Sequence, residues 1–248
     1  MAEAANDKSQ GDNQYRDEQA QAVRPKEAAT LVIVRQGSEP KVLMGKRAAS
    51  HVFMPNKFVF PGGRLDAIDQ RISVPSDLSD PVIGRLQKET RKNVSNHKLR
   101  GLALAAIRET YEETGLIIGR KTGQKLTTNN AVWQRYFDHG VEPPLDKIDF
   151  IARAVTPTYR NRRFDTRFFM IFDDFIQTDP DDMVKASGEL LDLHWLTLSE
   201  TQNLDLPTIT RWIIDMVDQR LKLSRDAQLQ APATYVRFIN GKPRITTL

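Results

Sequence analysis

The sequence predicts an α/β domain built on a mixed β-sheet, and two observations carry that expectation. Short β-branched or aromatic runs of strand length recur along the chain, and longer amphipathic stretches of helical period lie among them. No internal repeat and no second hydrophobic core divides the chain, so a single domain is expected over residues 27–248. Residues 1–26 are rich in Ala, Gln, Asn, Asp and Lys. They hold hardly any large apolar side chain and are expected to form a disordered tail.

Taken in order, the run Ala28-Ala29-Thr30-Leu31-Val32-Ile33-Val34-Arg35 predicts the first strand. The cluster at 36–40 turns it into a second strand at 41–46. Residues 57–60, Lys-Phe-Val-Phe, predict a short strand running directly into Pro61-Gly62-Gly63. Residues 70–100 differ in kind: a polar, Pro-containing loop and a basic, possibly helical piece predict a surface insertion, too short and polar for a core of its own. Helices are expected at 102–114, 131–138 and 207–223, and strands at 148–155, 166–172 and 190–196. A small strand with an Asn240-Gly241 turn is expected at the end.

The 248 residues are 40% hydrophobic and 27% charged, as in a soluble globular protein. A net charge of +4 favours anionic ligands without marking a nucleic-acid binder. The absence of cysteine excludes disulfides, thiolate metal sites and cysteine nucleophiles, and fits a reducing compartment. Four histidines (His51, His97, His139 and His194) show no metal-ligand spacing. No apolar run approaches the ~20 residues that span a bilayer, and the N-terminus lacks a secretory pattern, so no membrane partner and a cytoplasmic location are expected.

The chemistry is expected on Arg108-Glu109-Thr110-Tyr111-Glu112-Glu113-Thr114-Gly115-Leu116. Glu109, Glu112 and Glu113 fall at i, i+3 and i+4, so a helix crowds them onto one face. Such like charges repel, and a hard divalent cation turns the repulsion into binding. Arg108, four residues before Glu112, can hold a carboxylate of the same helix, and Gly115 can end it in a left-handed conformation. Read alone, the pattern more often marks a solvated acidic face.

Together with Phe60-Pro61-Gly62-Gly63, this stretch resembles the signature of the Nudix hydrolases, G-x5-E-x7-R-E-U-x-E-E-x-G-U with U a bulky apolar residue. Arg108, Glu109, Glu112, Glu113, Gly115 and Leu116 match, while Thr110 stands at an apolar position and Asp69 where a glutamate is usual. The halves are split: 38 residues (70–107) intervene where the family has seven. The long insertion, with Phe-Pro-Gly-Gly-x-Leu-Asp and Arg-Arg-Phe-Asp-Thr-Arg-Phe-Phe, is similar to the branch holding the peroxisomal coenzyme A diphosphatases. A further coenzyme A signature is broken, with Val52 and Asn56 near its arginine and glycine positions.

The resemblance implies an α/β/α sandwich and a metal-dependent cleavage of a nucleoside diphosphate derivative, coenzyme A or acyl-CoA first, ADP-ribose or a dinucleotide next. An inactive nucleotide-binding module of the same fold is the alternative. It further implies Mg2+ or Mn2+ on Glu109, Glu112, Glu113 and the Gly62 carbonyl, with Arg108 orienting carboxylates and Asp69 in an accessory acid position. Glu189 is a candidate general base from outside the motif. Arg160, Arg162, Arg163 and Arg167 are expected either to bind substrate phosphates, with Tyr159 or Phe164 stacking on a base, or to form salt bridges around a turn. Lys88, Arg91 and Lys92 of the insertion are expected either to meet a 3'-phosphate of coenzyme A or, as is commoner, to form a solvated basic face.

Overall fold

The computed structural model describes residues 23–47, 57–90, 94–160, 162–178 and 190–248. In chain order the strands are β1 (Lys26–Arg35), β2 (Lys41–Arg47), β3 (Phe58–Val59), β4 (Gly62–Arg64), β5 (Arg120–Lys121) and β6 (Val141–Glu142). They continue with β7 (Asp149–Val155), β8 (Phe164–Phe172), β9 (Leu190–Thr197), β10 (Thr234–Ile239) and β11 (Lys242–Thr247). The helices are α1 (Asp80–Gln87), α2 (Asn96–Thr114), α3 (Ala131–Phe137), α4 (Leu198–Thr201), α5 (Thr208–Leu221) and α6 (Arg225–Gln230).

Among the described residues nine strands form one mixed sheet in the order β11-β10-β7-β8-β1-β2-β3, with β4 added on β1 and β9 on β2. β1 runs parallel to β8 from Lys26↔Phe164 to Val34↔Phe172, whereas β7 pairs β8 antiparallel. The near-continuous apolar runs of β1 and β8 have a cause in this placement, because both faces of the sheet are covered. Leu31, Ile33, Phe169 and Ile171 pack on one side with α2 and α3. Val32, Val34, Met170 and Phe172 point to the other, against Ile213, Ile214 and Val217 of α5. The period of two thus splits one domain's core into two slabs and produces the expected α/β/α layering.

The insertion corrects the expectation of a surface segment. Ile72, Val74, Leu78, Val82 and Leu86 are buried in the same slab as the glutamate helix. Arg85 of α1 donates to Asp149 of β7 at 2.7 Å, and Arg220 of α5 reaches the other Asp149 oxygen at 2.8 Å. The polar composition hides an inner face of alternating apolar residues. The glutamate helix also begins earlier than Leu102: Ser95 caps α2, its hydroxyl accepting from the Lys98 N–H at 3.3 Å. At the far end Asn240 (φ 51°) and Gly241 (φ 74°) form the expected turn, but into a full hairpin partner, β11. That strand is exposed at the sheet edge, where its Pro243 is tolerated.

Candidate active site

β1 and α2 build the site between them. β4 lies antiparallel on β1, Thr30 opposite Gly62 and Ala29 opposite Gly63, which sets the double-glycine turn against α2. The Gly62 N–H donates to Glu113 Oε2 at 2.9 Å. Gly63 lies so close to α2 that a Cβ there would fall on the Glu109 carboxylate. The two halves of the split motif, 51 positions apart at that hydrogen bond, therefore meet. α2 ends as its sequence predicts, with Gly115 left-handed at φ 73° and its N–H bonded to the Tyr111 carbonyl. Thr110 fits its apolar position because its hydroxyl donates back to the Ala106 carbonyl at 2.8 Å within the helix.

Arg108 is the hub. Its guanidinium is buried and forks onto Asp69, Nε to Oδ1 at 2.9 Å and Nη2 to Oδ2 at 3.0 Å. Nη1 reaches Glu112 Oε2 at 2.6 Å and Glu109 Oε1 at 3.0 Å, and Nη2 also donates to the Arg64 carbonyl at 3.0 Å. Burial alone would favour the neutral guanidine. The hydrogen bonds and charges of Asp69, Glu109 and Glu112 outweigh it and raise the Arg108 pKa above its ordinary value. Glu109 is pushed up, chiefly by burial and further by the charges of Glu112 and Asp69, while Arg108 opposes the shift.

Asp69 is placed differently from the accessory acid the resemblance implies. It is 0% exposed, and its two oxygens accept four hydrogen bonds: the Arg108 fork, the Trp133 indole N–H at 3.1 Å and the Asp66 N–H at 2.9 Å. A carboxylate offers about four lone-pair sites, so none is left for a ligand or a metal. Asp69 positions Arg108. Trp133, which the sequence places only on the helix expected at 131–138, belongs to the site as well, because a buried indole N–H needs an acceptor and Asp69 supplies it.

The arginines after β7 do not gather into one phosphate clamp. Arg163 is taken up by the carbonyls of Thr156 (3.0 Å) and Val23 (2.7 Å). Arg160 is buried, its guanidinium 5.8 Å from the Tyr159 ring, while Arg162 is exposed. Arg167 is buried beside Asp165 at 3.0 Å, with Glu27 at 4.0 Å. Tyr159 meets Phe238 edge-on. Lys88 is exposed, whereas Glu189, Arg91 and Lys92 lie outside the described residues.

Among the described residues no three acidic or histidine side chains form a finished metal cage. The donor set nonetheless fits a hard divalent cation: α2 carries three carboxylates on adjacent turns, of which Glu113 accepts from the Gly62 N–H and Glu109 packs against Gly63.

No family model matches the sequence. "Putative nudix hydrolase 7" of Caenorhabditis elegans is 24% identical over 185 residues, 70% of this chain and 52% of that protein. The chain thus spans about half the length of this relative. The crystal structure of a NUDIX hydrolase from Alicyclobacillus acidocaldarius superposes with a TM-score of 0.60 at 24% identity, covering 80% of this chain and 93% of that one. The NUDIX domain of Shewanella oneidensis NrtR, solved with ADP ribose, is more distant, at 14% identity and a TM-score of 0.46 over 80% of this chain and 90% of that one. The chain has the Nudix fold.

Proposed function

With the Nudix fold as premise, we propose that the chain is a metal-dependent hydrolase cleaving the diphosphate bond of a nucleoside diphosphate derivative. Coenzyme A or an acyl-CoA is the first substrate of this reading, followed by ADP-ribose or a dinucleotide. One observation carries it: Glu109 and Glu113 meet the Gly62–Gly63 turn, with Glu112 held beside them by Arg108.

When bound, Mg2+ or Mn2+ supplies charge neutralisation at the phosphoryl oxygens and a water acidic enough to attack near neutral pH. Glu109, Glu112 and Glu113 would hold the ion, with the Gly62 carbonyl as a further donor. Arg108, itself fixed by Asp69, sets the rotamers of Glu109 and Glu112. The Glu112 side chain is 35% exposed, against 19% for Glu109, and Glu113 is buried. Glu112 would take the proton released as the water oxygen bonds to phosphorus and the P–O bridge breaks, leaving two phosphate monoesters. Glu189 is the second candidate for that proton.

The purified chain with Mg2+ or Mn2+ should release 3',5'-ADP and phosphopantetheine from coenzyme A, or AMP from ADP-ribose, in a side-by-side panel of diphosphates. Glu112→Gln or Glu113→Gln should lower turnover by about a hundredfold or more without a loss of secondary structure by circular dichroism. Unchanged rates in both variants would remove this site from the reaction.

A further inference from the structure

A cavity of about 790 Å³ lies between the starts of β1 and β8, the end of the insertion and the first turns of α2. That volume is within the range of small-molecule sites, roughly 300–1,000 Å³. Its position follows from the helix. Lys98 and Leu102 line it, and Glu109 and Glu113 lie seven and eleven residues after Leu102, on the same face of α2. At 1.5 Å per residue the cavity floor is about 10 Å from Glu109 along the helix. Arg64 continues the chain from the Gly62–Gly63 turn and lines the cavity, so the wall runs on directly from the candidate active site.

The lining has a surplus of cations. Of the described residues around it, Arg24, Lys26, Arg64, Lys98, Arg153 and Arg167 are basic, and Glu27, Glu89 and Asp165 acidic. Arg153 takes both oxygens of Asp165, at 2.8 and 2.7 Å. Arg167 shares that carboxylate at 3.0 Å, and Glu27, 4.0 Å from Arg167, is engaged by Lys98 at 2.6 Å. Three cations therefore divide two carboxylates, while Glu89 faces Arg237. Arg24, Lys26 and Arg64 make no ion pair among the described residues. Burial lowers the Arg167 pKa, and neighbouring Arg153 lowers it further against the pull of Asp165. A buried guanidinium with half a counter-charge, beside free cations on the rim, is a place for an anion.

We infer that this cavity binds a phosphomonoester dianion, held about two helical turns from the glutamates. If the proposed diphosphatase reaction is correct, that dianion is a second phosphate on the substrate's nucleoside side; the anion site itself does not depend on turnover. Calorimetry on the full chain without divalent cation tests it, using adenosine 3',5'-bisphosphate and adenosine as probes. The bisphosphate should bind about tenfold more tightly than adenosine, and Arg64→Ala should reduce that ratio toward unity. Arg64 is exposed, so Arg64→Glu is available as a second variant and should invert the preference. Equal affinity for the two probes, or a preference that survives both variants, would overturn the inference. Binding without turnover in the diphosphate panel would keep the anion site and sink the hydrolase reading; turnover without the preference would do the reverse.

Discussion

Two adjacent glycines are needed for different reasons, and the difference is measurable. A Cβ on Gly62 would lie 2.5 Å from the Ala29 carbonyl oxygen and 2.6 Å from Thr30 Cα, both backbone atoms of β1 that cannot turn aside. Its φ of 156° adds strain for any L side chain. The atoms that a Cβ on Gly63 meets first are the far end of Glu109, which can rotate away. Gly62→Ala should therefore lower stability by about 2 kcal/mol in chemical denaturation. Gly63→Ala should unfold near the wild-type midpoint yet lose about a hundredfold in diphosphatase rate, because it displaces a carboxylate from the site. Matching losses of stability in the two variants would contradict this division. The motif pointed to both glycines, but only the pairing of β4 with β1 assigns one to the fold and the other to the site. Asp69 teaches the same lesson: its position was legible, and its saturation by Arg108, Trp133 and Asp66 was not, because Trp133 comes from an element 64 residues away.

At the scale of elements, helices and strands with strong periodicity were readable and the insertion was not. β1 and β2 are near-continuous apolar runs of strand length, and α5 follows a period of 3.6 that its burial satisfies. The stretch 70–100 shows no such period over a long window. Its buried apolar residues change spacing among charges and prolines, by two from Ile72 to Val74 and by four through Leu78, Val82 and Leu86, and only tertiary packing selects them as one inner face. Arg85 could not be read at all from sequence, since its partners Asp149 and the Leu229 and Ala231 carbonyls lie far along the chain. The consequence is quantitative. Leu86, 2% exposed, should cost about 2–5 kcal/mol when changed to Ala, measured by urea denaturation. A peripheral loop would give a change within about 0.5 kcal/mol, and that outcome would return the insertion to the surface.

At the scale of the whole molecule, the half-buried Asp165 and the buried Asp149 tie distant layers together and titrate in opposite senses. Asp165 of β8 forks with Arg153 of β7, which in turn donates to the Glu89 carbonyl of the insertion at 2.8 Å. Burial would raise the Asp165 pKa, but the Arg153 hydrogen bonds and the Arg167 charge prevail and hold it below the ordinary value. Its folded pKa is then lower than its unfolded one. The stability it contributes is present above the usual carboxylate range, about pH 4, and is lost as pH falls through the folded value. Asp149 differs: burial prevails over Arg220 and Arg85 and raises its pKa. Its linkage runs the other way, favouring the fold at low pH and weakening it as pH rises above the usual range. Asp165→Asn should thus cost about 3 kcal/mol at pH 7, by stranding two buried guanidinium groups, and should flatten the acid limb of the stability curve. Asp149→Asn should be destabilising at pH 7 without flattening that limb. Denaturant titrations of both variants from pH 3 to pH 7 separate the two carboxylates; an acid limb unchanged by Asp165→Asn would show that the Arg153–Asp165–Arg167 network does not carry the fold's acid sensitivity.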